Sequence, residues 1–374
     1  MRKSLLIVVI SVIVGLGVWM LKQVQHDAVA PAGDKPLVKI GAILPLTGNI
    51  ATWGQSYNSG ILLAYDDIKG DTKFNYKMIV EDHADDIKNL PAIISKLLNI
   101  DKVDSVITIF NPTANVVSPI FTQNKKIHMG GSWFPDFIGN KYNFNFYSAM
   151  EDESDVIVKK ANKEGYKNVV LFTTIHTGFI SGTKILKQKL AEGNIKVCKE
   201  IEFNFGQRDF RMEIAKAQKE CSPDLFIIGA FPPESDILIK QIKEVAGKNV
   251  AITGLDLGLN VTAYGLYEGL WFPAPTIPNE DFISKYVKKY NKDDYLFGAG
   301  IGYDELSILV EAYENARADN TIPTPDEVSD YIHHKARFNS VFGKVVVEDS
   351  GQVNTPVDMI MIKNGKPVVV TEGI

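Results

Sequence analysis

The sequence predicts an α/β protein built from two doubly wound lobes. Short strands are apolar along their whole length, helical patterns separate them, and the chain is too long for one core. Strands buried on both faces and alternating with helices imply parallel sheets made of βαβ units. They fall into two series of about four. At 374 residues the chain also exceeds the roughly 250–300 residues at which a single hydrophobic core stops growing.

The first series of predicted strands is 38–44, 76–80, 105–110 and 127–130. After the first strand the chain breaks on Pro45 and Gly48 and enters a helix. That helix carries Tyr57, Ile61, Ala64 and Ile68 on one face. In open α/β sheets ligands bind beyond the carboxyl ends of the strands, which places Leu46 to Trp53 where a ligand would sit. The second series is 168–173, 195–203, 225–229 and 250–253. Helical stretches are expected over 89–98, 181–191, 208–220 and 234–246. The last hundred residues change rhythm, with helices over 280–291, 301–318 and 325–334. Strands follow at 344–347, 359–363 and 366–370, the last pair joined by the turn residues Asn364 and Gly365. Such a tail returns to cover or bridge the two lobes.

Composition is that of an ordinary globular protein, 45% hydrophobic and 23% charged. Lys and Arg are dispersed and the net charge is mildly acidic, which argues against nucleic acid as a partner. The first thirty residues stand apart. Arg2 and Lys3 precede an apolar run from Leu5 to Leu21, and Ala28, Val29 and Ala30 offer small residues at signal-peptidase spacing. Residues 1–30 therefore read either as a cleaved signal peptide or as an uncleaved anchor spanning 5–21. Both place the body of the protein outside the cytoplasmic membrane, in the periplasm. Cys198 and Cys221 are the only cysteines. In an oxidising compartment they can pair, worth about 3 kcal/mol in the chain-entropy model; otherwise they are two small buried hydrophobes.

No catalytic constellation is legible. The chain has no phosphate-cradling loop, no nucleophile elbow and no zinc-protease histidine pair. The turn Pro45, Leu46, Thr47, Gly48 lacks the glycines that admit a dinucleotide's pyrophosphate. Gly298, Gly300 and Gly302 read as the flexible start of a helix, and Ser181 to Lys184 as a plain helix start. Asp82, His83, Asp85 and Asp86 read as loop and helix-capping residues rather than metal ligands. His333 and His334 are expected to be inert on a surface helix. No cofactor and no metal are expected, and the chain reads as built to hold a molecule rather than transform it.

Several segments in order resemble the branched-chain amino-acid type of periplasmic solute-binding protein, the substrate-binding component of ABC transporters. They are 38–48 with Trp53, Gly54 and 60–68; the acidic loop 80–86; 224–230; 302–306; and the closing Phe342, Gly343, 349–351 and 364–365. The resemblance covers nearly everything after residue 36. It implies a type I periplasmic binding protein, with two Rossmann-like lobes joined by three crossovers and hinged to close on one small ligand. The lobes would be 36–147 with 274–354, and 148–273 with 355–374. It also implies a monomer serving an ABC permease, or a sensor protein, in the cytoplasmic membrane. A membrane-tethered sensing subunit is the alternative, and a two-lobed enzyme a distant third.

The positions matching that family's ligand contacts are Trp53, Asn111, Thr113, Ser132 and Trp133 in the first lobe. In the second they are His176, Thr177, Phe231 and Asp256. In amino-acid binders, hydroxyls and backbone N–H groups hold the ligand carboxylate and an acid in the second lobe holds the ammonium. Independently of the resemblance, Thr113 can begin a helix whose N-terminus favours a carboxylate. Asp256 suits an ammonium or another donor, and the aromatic residues suit an apolar ligand body. The chain departs from the family pattern at Trp133, Thr177 and Phe231, where small, hydroxyl or tyrosine side chains are common.

Overall fold

The computed structural model describes residues 35–370 apart from 69, 71, 134, 135, 256, 258–263, 292–295 and 336. The expected signal or anchor at 1–30 and the candidate Asp256 lie outside these residues. Among the described residues, no helix is long and apolar enough to cross a membrane.

The first sheet begins with β1 (Leu37–Leu44), β2 (Asn75–Asp82), β3 (Ser105–Ile109), β4 (Ile127–Gly131) and β5 (Asn143–Tyr147). These five are parallel, in the order β5-β4-β3-β1-β2. On one face, Ile43, Val103 and Val106 pack on the helices α2 (Leu90–Ser95) and α3 (Asn111–Gln123). The other face, through Ile40, Ala42, Ile107 and Phe146, meets α1 (Ala51–Asp67). The chain then leaves through α4 (Met150–Glu164), a helix the sequence reading did not single out.

The second sheet comprises β6 (Asn168–Thr174), β7 (Lys196–Phe203), β8 (Leu225–Gly229) and β9 (Ala251–Gly254), all parallel in the order β7-β6-β8-β9. It too is wound on both faces. Val169, Leu171 and Ile227 pack with α4 and with α5 (Thr177–Glu192). Phe172, Phe226 and Ile228 pack with α6 (Arg211–Cys221) and α7 (Glu234–Val245). The β6–β7 register slips between Val169 and Val170, so that Cys198 is the extra residue of a bulge. There it forms a disulfide with Cys221 at the end of α6, with Cα atoms 6.0 Å apart.

The C-terminal third divides itself between these sheets. β10 (Trp271–Pro275) pairs antiparallel with β14 (Val357–Lys363), which pairs with β15 (Lys366–Val369). This three-stranded sheet adjoins the second unit, where Trp271 and Met359 share a core with Val169 and Leu171. Between them run α8 (Glu280–Tyr290), α9 (Leu296–Asn315) and α10 (Pro325–His334). The short strands β11 (Phe338–Ser340), β12 (Gly343–Val347) and β13 (Gln352–Asn354) extend the first sheet, with β13 parallel to β5. Three short connections, at 148–149, 276–279 and 355–356, thus link the two units.

Two sequence expectations are corrected here. Gly298, Gly300 and Gly302 lie inside the first turns of α9, not in a flexible start. A Cβ at Gly302 would fall 2.3 Å from the Tyr57 carbonyl oxygen, and one at Gly60 would fall 1.7 Å from that of Ala299. Glycine is needed because α1 and α9 touch backbone to backbone. His333 does not lie free on the surface as expected; its half-buried ring packs on Phe144 at 4.8 Å, while His334 is exposed.

Candidate functional site

Five strand ends and four helices converge where the first unit faces the second. Asp82, at the end of β2, fixes the turn after β1. Its carboxylate accepts from Leu46 N (2.9 Å), Thr47 N (3.3 Å), Thr47 Oγ1 (2.7 Å) and Ala84 N (2.8 Å). Burial would push this carboxyl up, but those donors together hold it below the usual range. The turn launches α1, and its first-turn Trp53 is buried.

At the end of β3, Phe110 adopts φ 68° and ψ 145°, a backbone region that ordinary side chains rarely occupy. Its N–H donates to Gly131 O at 3.0 Å, and α3 begins directly afterwards at Asn111 and Pro112. The N-terminal N–H groups of this helix therefore open beside the end of β4. There the Ser132 hydroxyl donates to Asn111 Oδ1. Ser132 is gripped through its backbone by Asn145, whose Oδ1 accepts from Ser132 N and whose Nδ2 donates to Ser132 O, both at 2.9 Å. Asn145 Nδ2 also reaches Gln352 Oε1 at 2.9 Å, and Gln352 Nε2 donates to Tyr147 O at 2.7 Å. Each buried amide is thereby satisfied and the polar end of the site is rigid.

The second unit contributes His176, the residue preceding α5, and Phe231, which follows β8. Aromatic rings bridge the two units. Phe231 lies 5.4 Å from Trp53, 6.1 Å from Phe110 and 6.0 Å from Trp133, and Trp133 lies 4.9 Å from Phe179. Pairs of this kind are worth about 0.5–1.5 kcal/mol each beyond their buried area. They enclose a cavity of about 20 Å³, the room of one water molecule. Burial pushes the His176 imidazole down, against an upward pull from the Asp85 carboxylate. Its ring is therefore neutral at pH 7.

Six of the expected residues line this cavity: Trp53, Asn111, Ser132, Trp133, His176 and Phe231. Thr113 does not. The helix begins two residues earlier than expected, and the buried Thr113 turns its hydroxyl to His83 Nε2 at 3.3 Å. Thr177 is exposed on the first turn of α5 and also lies away from the cavity. The sequence reading missed Ile109, Phe110, Tyr147, Gly178 and Ile301. Of these, Phe110 and Gly178 directly flank predicted residues, whereas Ile301 arrives on a helix from the far end of the chain. Among the described residues, no three His, Cys, Asp or Glu side chains gather as metal ligands.

The site thus offers a helix N-terminus, a hydroxyl and an amide at one end and aromatic walls around the rest. The sequence pattern of the family described as periplasmic binding protein matches residues 37–367. The chain belongs to that family. Its members are solute-binding proteins of ABC transporters, not enzymes, and they bind small ligands outside the cytoplasm. The chain is 24% identical over 334 residues to the leucine-, isoleucine-, valine-, threonine- and alanine-binding protein of Pseudomonas aeruginosa, covering 84% of this chain and 87% of that one. In fold it is similar to the leucine-binding protein LivK of Thermotoga maritima. There the TM-score is 0.77 at 21% identity, over 89% of this chain and 98% of the other. A Rhodopseudomonas palustris solute-binding protein in complex with benzoate matches with TM-score 0.78 at 18% identity, over 90% and 99%.

Proposed function

We propose that this protein captures a small organic acid with an apolar body, an amino acid or an aromatic carboxylate, and hands it to the permease of an ABC importer. The lobes in this reading are 36–147 with 274–354 and 148–273 with 355–374. They close over the ligand by bending the three connections. One observation carries the reading: the cavity lies between the two units, with the N-terminus of α3, Asn111 and Ser132 at its polar end and aromatic rings from both units around it. A carboxylate at a helix N-terminus is stabilised by the N–H groups and the helix dipole. The aromatic walls would shield the rest of the ligand from water. Asp256 remains the proposed partner for a ligand ammonium, and the relatives' ligands, branched-chain amino acids and benzoate, bracket the class.

The test is calorimetric titration of the periplasmic portion with the twenty amino acids and a set of benzoates. Binding by at least one of them, weakened at least tenfold by Ser132→Ala, supports the reading. Failure of every one to bind would sink it. Asp256→Ala weakens amino-acid binding but leaves benzoate binding unchanged if its role is to hold an ammonium.

A further inference from the structure

Two buried side chains lie one helical turn below the cavity. Trp53 and Ile301 line it on α1 and α9, and Tyr57 and Glu305 are the residues four positions further along those same helices. Both are wholly buried, with 0% exposure. Tyr57 and Glu305 engage each other only loosely: Tyr57 Oη and both Glu305 carboxyl oxygens make no well-formed hydrogen bond, although the phenol and the carboxyl group interact. A buried polar atom without a well-formed hydrogen bond is costly, so three together are not explained by packing. The phenol oxygen lies against Gly131, which lines the cavity, and would stand 2.5 Å from a Cβ there. Tyr147, another lining residue, also acts electrostatically on Tyr57. Polar atoms in want of partners are thus separated from the cavity by a residue with no side chain.

We propose that Tyr57, backed by Glu305, forms a second polar subsite that selects ligands carrying a hydroxyl group. The idea rests on the acid-binding reading above and adds a specificity determinant to it. A hydroxyl suits the place because it both donates and accepts, as do the phenol and an uncharged carboxyl group. Burial, and secondarily the neighbouring Asp304, push the Glu305 carboxyl well up, while Tyr57 pulls it down. Glu305 is accordingly held neutral, which disfavours an anionic ligand group less than a carboxylate would. Tyr57 would touch the ligand, and Glu305 acts through it as a positioning residue.

Two matched pairs differing by one hydroxyl test the proposal: benzoate against 4-hydroxybenzoate, and phenylalanine against tyrosine. In the wild type, the hydroxylated member of at least one pair should bind about tenfold or more tightly, the worth of one well-made hydrogen bond. Tyr57→Phe should reduce that ratio to near unity while leaving affinity for the plain member within about twofold. Glu305→Gln, which keeps an uncharged donor and acceptor, should retain the preference. The unliganded Tyr57→Phe protein should melt close to wild type, because it loses only a hydroxyl that Glu305 holds loosely. A wild type that binds either pair without preferring the hydroxyl overturns the subsite alone. A Tyr57→Phe protein that melts several degrees lower, or keeps the preference, also overturns it. Binding of no member of either pair overturns the subsite, and the acid-binding reading falls with it only where every other acid of the wider titration also fails to bind.

Discussion

Replacing Gly60 by Ala sets two effects of opposite sign against each other. In a helix interior, Gly→Ala should stabilise by about 1 kcal/mol through propensity alone. In this fold the new methyl would lie 1.7 Å from the Ala299 carbonyl oxygen, and ordinary contact begins near 3.4 Å. The obstacle is backbone, so no side-chain rotation relieves it, and α1 and α9 must part by about 1.7 Å. Gaps of 0.5–1 Å already forfeit a quarter to a half of the dispersion energy of an atom pair. Overpacking of this kind costs about 3 kcal/mol at the upper end of the usual range. The expected net loss is about 2 kcal/mol, or a Tm lower by about 4 °C in a protein of this size. Thermal unfolding followed by circular dichroism reads it directly. Because Trp53 and Ile301 ride on these two helices, ligand affinity should fall as well. A Gly60→Ala protein as stable as wild type, or more so, would falsify the backbone-to-backbone account of this interface.

Two buried groups should tilt the pH profile of stability in opposite directions. Burial pushes Asp304 up to about 7 from 3.8, against hydrogen bonds from Ser340 and Val341. Between pH 4 and 7 the native state then holds a proton that the unfolded chain has lost, and stability falls as pH rises. Burial pushes His128 down to about 4 from 6.5, so from pH 4 to 6.5 the unfolded chain holds the extra proton and stability rises. Urea titrations across this range should show Asp304→Asn stabilities rising with pH and His128→Gln stabilities falling; equal slopes in both variants would contradict the assignment. Reducing the Cys198–Cys221 disulfide, or replacing both residues by Ser, should remove about 3 kcal/mol, and an unchanged urea midpoint would refute that. Phe231→Ala removes a ring of the second unit that touches Trp53, Phe110 and Trp133. Small-angle scattering of the unliganded variant should show a larger radius of gyration than wild type, and an identical one would argue against aromatic contacts holding the units together.

Strands whose burial is written in continuous apolar residues were legible from sequence, and β8 over Leu225–Gly229 was found to the residue. β5 was missed because Asn143, Phe144, Asn145, Phe146 and Tyr147 alternate like a half-exposed strand. All five are buried, since Asn143 serves His128 at 2.9 Å and Asn145 serves Ser132 and Gln352. Side-chain amides used inside a core look the same in sequence as amides facing water. Site residues just beyond predicted strand ends were legible for the same topological reason that ligands bind there. Thr113 was misplaced because the left-handed backbone of Phe110 starts α3 early, and nothing in a phenylalanine announces that conformation. Tyr57 and Glu305 were hidden because their meeting depends on two helices about 250 residues apart in the chain packing against each other.

The threading of the chain also fixes an order of events during synthesis. The first sheet receives β13 and the covering helix α9 only after the whole second sheet has been made. Until residue 315 has left the ribosome, the face of β4 and β5 that α9 will cover has only part of its apolar lining. A chain emerging from its N-terminus therefore cannot finish its first half before its last quarter exists. Its first unit stays incomplete, and open to chaperones, for most of the time the polypeptide is growing.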